Sequence, residues 1–338
     1  MREIRKKARE RVKTRCRVCP VCDGKACAGE VPGMGGMGTG MGFRNNVSSL
    51  AKITLNMRVL HDADEPDTRF ILWGQELSLP VFAAPLGAVG PNLGSDMTDA
   101  EYTRLLIAGC AKAGTLAGIG DMPVLENFTT YLDSIGSFGK ATVPFIKPWT
   151  IEAVEKRMDL VAGAGCAICG MDVDSVGLAA MRRLNPSVVM KPGPELAKCI
   201  RLAHERGMKF IVKGIMTPDE AVIACEAGAD AVLVSNHGGR VLDHARGGAE
   251  VLPAIARAVG GRSVVMIDGG IRSGEDVLKV LALGAKAALI CRPVSIMLHG
   301  DEENGVPVYF DALRQQLCNA MRLTGCGDLA SIDARVVE

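Results

Sequence analysis

From residue 79 onward the chain alternates short, continuously apolar runs with amphipathic stretches of helical length. The runs are LPVFAAP (79–85), TLAGIG (115–120), ATVPFI (141–146), CAICGMD (166–172), KFIVKG (209–214), AVLVS (231–235), SVVMID (263–268) and AALIC (287–291). A run that is apolar at every position rather than at every second one is buried on both faces, as in a parallel sheet covered by helices. Helix-start signals fall between the runs. Thr217-Pro218-Asp219-Glu220 offers a capping hydroxyl, a proline in the first turn and an early carboxylate, and Ser273-Gly274-Glu275-Asp276 repeats the pattern. GAGCAIC (163–169), GADAVLV (228–234) and GAKAALI (284–290) echo one another as helix end running into strand. Eight such units predict an α/β protein of the (β/α)8 TIM-barrel class, with a doubly wound open sheet as the structural alternative.

Two segments precede the barrel pattern, so the expected division is an extension over 1–42 and a barrel over 43–338. Residues 1–15 carry eight basic and two acidic side chains, and Ile4, Ala8 and Val12 make only a narrow apolar stripe, which predicts a solvated helix. Residues 29–42, GEVPGMGGMGTGMG, are too rich in glycine for helix or strand and form a loop that either covers a ligand or links two parts.

Composition narrows the picture. Aromatic residues are only 4% of the chain, so the core is aliphatic. A net charge of +1 excludes a body built for broad contact with nucleic acid or anionic membrane. Neither a membrane-length apolar run nor a secretory signal is evident, which predicts a cytoplasmic protein with reduced cysteines. Four of the twelve cysteines fall within residues 16–27, and the other eight are scattered, several in apolar segments where a thiol behaves as a small hydrophobe.

In a barrel the residues just past the C-terminal strand ends line the site. Here they are Lys213-Gly214, Ser235-Asn236-His237-Gly238-Gly239-Arg240, Asp268-Gly269-Gly270-Ile271-Arg272 and Cys291-Arg292-Pro293. Glycine turns leading into helices, with Arg272 and Arg292, suit a phosphate. His237 exchanges protons near neutral pH, Arg240 can clamp a carboxylate, and Lys213 inside an apolar strand calls for an anion.

These loops resemble the FMN-dependent α-hydroxy acid oxidases and dehydrogenases, which include glycolate oxidase and lactate oxidase. The likeness is closest over VKGIMTPDEA (212–221), VSNHGGRVLD (234–243), DGGIRSGEDVLKVLALGA (268–285) and CRPV (291–294), and continues through MRVL (57–60), WGQELSLPVFAAP (73–85) and MRLTG (321–325). It implies FMN as cofactor, with Ala84, Pro85, Leu86 and Gly118 among its contacts. Lys213 would sit by the flavin N1/O2 edge with Ser235 on the same face, Asp268 at the ribityl chain, and Gly269, Gly270, Arg272, Cys291 and Arg292 around the phosphate. It further implies His237 as the base, Arg240 as the carboxylate clamp, and Asp172 as the partner that steadies protonated His237. The expected activity is oxidation of a small 2-hydroxy acid, by a homo-oligomer of four subunits or more.

The substrate half departs from the family. No tyrosine answers the family's N-terminal one in GMGTGMGFRN (36–45), VPFIKPW (143–149) replaces a strand that ends in tyrosine and offers Lys147 to the site, DVDSVGLAAMRR (172–183) lacks an expected arginine, and Cys291 replaces a glycine. A non-redox flavoenzyme resembling the type 2 isopentenyl diphosphate isomerases, and a non-catalytic FMN or metal sensor, therefore stay as alternatives. Cys16, Cys19, Cys22 and Cys27, spaced C-x2-C-x2-C-x4-C, could wrap a [4Fe–4S] cluster or a zinc ion, or remain unligated or redox-active thiols. A cluster would exchange single electrons with the flavin, and an electron-transfer partner protein is among the electron acceptors that the sequence leaves open.

Overall fold

The structure is a computed structural model that describes every residue except 13, 31–33, 179–180 and 182–187. All eight apolar runs become strands of one closed parallel barrel: β3 (Val81–Ala83), β4 (Ala117–Gly120), β5 (Thr142–Ile146), β6 (Ile168–Asp172), β7 (Lys209–Ile215), β8 (Ala231–Val234), β9 (Val264–Asp268) and β10 (Ala287–Ile290). Pairing of Ala288 with Val81 and of Ile290 with Ala83 closes the ring and excludes the open sheet.

The strands are apolar throughout because they face two separate cores. Phe82, Val143, Phe145, Ile211, Leu233 and Met266 fill the barrel interior, while Val81, Ile119, Ile146, Met171, Val212 and Ile267 meet the surrounding helices. A hairpin of β1 (Phe70–Leu72) and β2 (Gln75–Leu77) inserts Leu72 and Leu77 into the interior cluster at the N-terminal end. The C-terminal end is therefore the one left for polar chemistry. Ser273 caps its helix as expected, accepting the Asp276 N–H. Thr217 stands at the start of its helix without a cap bond, its hydroxyl turned to the Asp219 carboxylate instead.

The N-terminal segment is not the solvated helix its sequence predicts. Helix α1 (Arg2–Arg11) packs on the helix Arg292–Gly300, with Ala8 and Val12 buried. The close approach depends on Gly300 of the other helix, where a Cβ would stand 2.0 Å from the Ile4 carbonyl, so the pattern of α1 alone does not reveal it. Helix α2 (Met41–Ala51) crosses the expected boundary between residues 42 and 43 and lies beside the helix Gly248–Val259. Among the described residues no helix is long and apolar enough to cross a membrane.

Candidate active site

Strand β7 carries a register irregularity between Lys213 and Ile215, and Gly214 there has φ +108°. A Cβ on Gly214 would stand 2.6 Å from the Asp174 side chain. The bulge therefore does two things: it turns Lys213 into the barrel mouth and opens room for the 3-10 turn Val173–Gly177 that follows β6.

That turn corrects one expectation. Asp172 was to steady His237, and its charge does favour the protonated ring, but the hydrogen bond is not its own: it ends β6 in register with Lys213 and is held by two lysines, Lys147 Nζ at 2.6 Å and Lys213 Nζ at 3.1 Å. Asp174, two residues on, reaches His237 Nδ1 at 2.9 Å. The bond fixes the proton on Nδ1 and leaves Nε2 as the acceptor. Lys213 Nζ lies 3.4 Å from the same Nδ1. Since that nitrogen already donates to Asp174, the lysine acts there as a neighbouring charge rather than as a hydrogen-bond partner.

Electrostatics follow from this geometry. Burial lowers the His237 pKa, Lys213 lowers it further, and Asp174 opposes both. The imidazole is thus neutral at neutral pH, as a base must be. Burial alone would raise Asp172, but Lys147 and Lys213 outweigh it and keep the carboxylate ionised. Burial works against the charge of Lys213, and Asp172, Asp174 and Asp268 more than restore it. Asp172, Asp174 and His237 come close enough to chelate an ion, yet Lys147 and Lys213 already balance their charge.

His237 itself has φ +55°, a left-handed backbone that its surroundings enforce. Its N–H donates to Ser235 Oγ at 3.0 Å. Asn236 Oδ1 accepts from Gly239 N and from Asn46 Nδ2, at 3.0 and 2.7 Å, and Asn236 Nδ2 donates to the carbonyl of Gly42. Helix α2 thus braces the histidine turn. The Gly/Met loop covers this face: Met37 N donates to the carbonyl of Gly239, and Thr39 and Met41 donate to Asp243. Its residues 31–33 lie outside the described residues, as do Arg182 and Arg183 of the DVDSVGLAAMRR segment.

One cleft gathers most of the expected cofactor residues: Ala84, Pro85, Leu86, Lys213, His237, Arg240, Asp268, Gly269, Gly270, Arg272, Cys291 and Arg292. Met34 of the loop lines it as well. Two expected contacts stand directly behind its lining. Ser235 is fully buried beneath the histidine turn, and Gly118 sits behind the segment Ala83–Pro85, where a Cβ would come within 2.6 Å of the Ala83 carbonyl.

The cleft fits FMN. Nε of Arg272, Nε of Arg292 and Oδ1 of Asp268 are buried without a hydrogen-bond partner among the described residues, an arrangement that a phosphate and a ribityl hydroxyl would complete. Gly270 has φ +83°, and a Cβ there would strike the Asn46 carbonyl at 2.5 Å, so only glycine lets helix α2 pack against this turn. Phe43 lies under Arg292 and Arg272, its ring centre 4.3 and 5.9 Å from the two guanidinium carbons. Burial raises the Cys291 thiol, which stays neutral beside them.

A second cavity of about 440 Å³ adjoins the first and shares Pro85, Leu86, His237 and Arg240 with it. Met37, Pro91, Met122, Pro123, Val124 and Leu178 form its apolar walls, and Lys147 and Asp172 lie at its floor. Lys147 is placed by a buried carboxylate that sequence reasoning missed. Asp121 accepts from Lys147 N and from Arg157 Nε, each at 3.0 Å, and from the Trp149 indole. Arg240 donates to Asn92 Oδ1 at 2.6 Å, and burial, with Arg292 nearby, pulls its pKa down to about 10, still charged at neutral pH.

The family model for FMN-dependent dehydrogenase matches residues 33–183 and 170–338. An L-lactate dehydrogenase of Caulobacter vibrioides is 32% identical, over 86% of this chain and 88% of its own length. The 2-hydroxyacid oxidase 2 of Homo sapiens is 27% identical, over 87% and 89%. A crystal structure of mandelate oxidase with (S)-2-phenylpropionate superposes with a TM-score of 0.74 at 26% identity, covering all of this chain and 97% of the other. Barrel, cofactor cleft and histidine turn agree with these matches, and the chain belongs to the FMN-dependent dehydrogenase family of 2-hydroxy acid oxidases and dehydrogenases, with FMN as its cofactor.

Proposed function

We propose that this FMN enzyme oxidises 2-hydroxy acids bearing an apolar substituent larger than a methyl group. The observation that carries the reading is the wall common to the two cavities, where His237 and Arg240 face the cofactor cleft on one side and the apolar chamber on the other. Bound FMN supplies the acceptor for a hydride equivalent. Arg240 clamps the substrate carboxylate, and the Lys147–Asp172 pair beside it sets the polar end of the chamber. His237 Nε2 takes the proton, and Asp174 stabilises the imidazolium that results. Lys213, held charged by three carboxylates, is a fixed cation where the family places the flavin N1/O2 edge.

The chamber's volume falls within the range of pockets that take drug-sized ligands, and its walls are methionine, proline, valine and leucine. An aryl or branched alkyl group fills such a space, whereas a methyl leaves it empty or wet. On the same footing we place the enzyme in the cytosol, where cysteines without a disulfide partner are kept reduced.

Anaerobic absorbance spectra with a substrate panel test the proposal. Mandelate and 2-hydroxy-4-methylpentanoate should bleach the bound flavin with lower apparent Kd than glycolate or lactate. Bleaching by glycolate alone overturns the substrate class, and no bleaching by any 2-hydroxy acid overturns the reaction.

A further inference from the structure

The segment Cys16–Cys27 lies outside the barrel and plays no part in the chemistry above. It forms neither helix nor strand, yet other parts of the chain hold its backbone closely. Cys16 N donates to the Leu93 carbonyl at 2.9 Å, Arg9 donates to the carbonyl of Val18 at 2.8 Å, and Arg5 to that of Cys19 at 2.5 Å. Val18 is buried in a left-handed conformation, φ +46°. Two of the basic side chains of α1 are thus spent on shaping this loop, although a packed helix needs neither.

The loop brings Cys16 and Cys27 within electrostatic reach of Cys19 and Cys22, and Cys16, Cys22 and Cys27 within reach of Arg292. All four are free and half-buried. Arg272 joins them to the cofactor cleft: it lines that cleft, and its Nη2 stands 3.8 Å from Cys22 Sγ. A metal centre bound by four thiolates leaves a net anion, which the guanidiniums of Arg272 and Arg292 complement.

We propose that Cys16, Cys19, Cys22 and Cys27 bind a [4Fe–4S] cluster at the phosphate end of the FMN cleft, and that electrons leave the reduced cofactor through it one at a time. The electron path rests on the function proposed above, whereas the cluster stands independently of it. Four cysteine ligands, three of them in a C-x2-C-x2-C run, are the ligand chemistry of such clusters. Zinc sites more often pair two separated C-x2-C knuckles.

The electrons balance. Oxidation of a 2-hydroxy acid to the 2-oxo acid gives up two protons and two electrons, one proton passing to His237 and the other travelling with the electron pair to FMN. Reoxidation of FMN then releases that second proton and two electrons. A cluster cycling between its 2+ and 1+ states passes them singly to an external one-electron carrier protein.

The test uses the full chain expressed and purified anaerobically, with iron, sulfide, zinc and FMN assayed on one sample. About four irons and four sulfides per chain are expected, together with an EPR signal on dithionite reduction. Cys19→Ala and Cys22→Ala should lose both while retaining FMN. If these variants do not fold, reconstitution of chelator-stripped wild type with ferrous iron and sulfide provides the same measurement. Stoichiometric zinc, or thiols that bind no metal under either treatment, overturns the cluster. Adding mandelate in place of dithionite should raise the EPR signal in wild type and not in His237→Ala. A cluster that dithionite reduces but substrate does not, in protein whose flavin bleaches, overturns the electron path alone. Iron and sulfide in protein without FMN would sink the function proposed above and spare the cluster.

Discussion

His237 Nδ1 donates to Asp174 Oδ1 at 2.9 Å, and this bond, rather than one to the strand-end Asp172, sets the tautomer of the base. Asp174→Asn keeps the shape and removes the charge that stabilises an imidazolium. We expect kcat/KM for 2-hydroxy acids to fall by about 10²-fold or more, with FMN retained at full occupancy. Steady-state rates alongside flavin content would reveal this, and an unchanged rate would remove Asp174 from the mechanism.

The same pair fixes a pH dependence. Burial and Lys213 place the His237 pKa below its ordinary 6.5. Activity needs the neutral ring, so kcat/KM should rise with pH along a limb centred below 6.5 and stay flat through neutrality. Asp174 pulls the pKa upward, and Asp174→Asn should therefore move the limb to still lower pH. The stability sign agrees: the unfolded chain takes up the proton first, so His237 contributes to a loss of stability as pH falls below 6.5. A limb above 6.5 would contradict the burial argument.

Gly270→Ala forces a side chain into a left-handed turn and against the Asn46 carbonyl. Backbone strain of this type costs about 1–3 kcal/mol. Thermal melts should show a lower Tm, and fluorescence titration should show FMN affinity reduced at least tenfold. Wild-type affinity for FMN would mean that the packing of helix α2 on this turn does not shape the cofactor cleft.

Met122→Trp places a large ring in the apolar chamber without touching His237 or Arg240. Mandelate should lose most of its kcat/KM while glycolate and lactate keep theirs, a change of specificity of at least about tenfold, since pocket contacts of one or two methylenes are worth about 1–3 kcal/mol. Equal losses on all substrates would show that the chamber does not receive the substituent.

The barrel was legible in the sequence because burial on both faces leaves a mark on every residue of a strand, as AVLV (231–234) shows. The cofactor cleft was legible because glycines and arginines crowd the strand ends. Three features were not. Asp174 and Asp172 are chemically equivalent in DVDSVG, and only the bulge at Gly214 decides which one reaches His237. Asp121 is a buried carboxylate whose partners Lys147, Trp149 and Arg157 are 26 to 36 residues away, so nothing local announces it. Helix α1 docks with Ala8 buried and the Ile4 backbone against Gly300, far along the chain, so its own pattern does not announce the contact.

The hydrogen bond between Asn46 and Asn236 spans 190 residues. Its consequence is temporal. During synthesis the first asparagine is made long before the second, and the second belongs to a turn whose own bonds, from His237 N to Ser235 Oγ and from Gly239 N to Asn236 Oδ1, do not reach helix α2. Contacts of such sequence separation close late, because the loop entropy must be lost before they form. The catalytic turn should accordingly become ordered late, together with closure of the barrel, which pairs Val81 with Ala288.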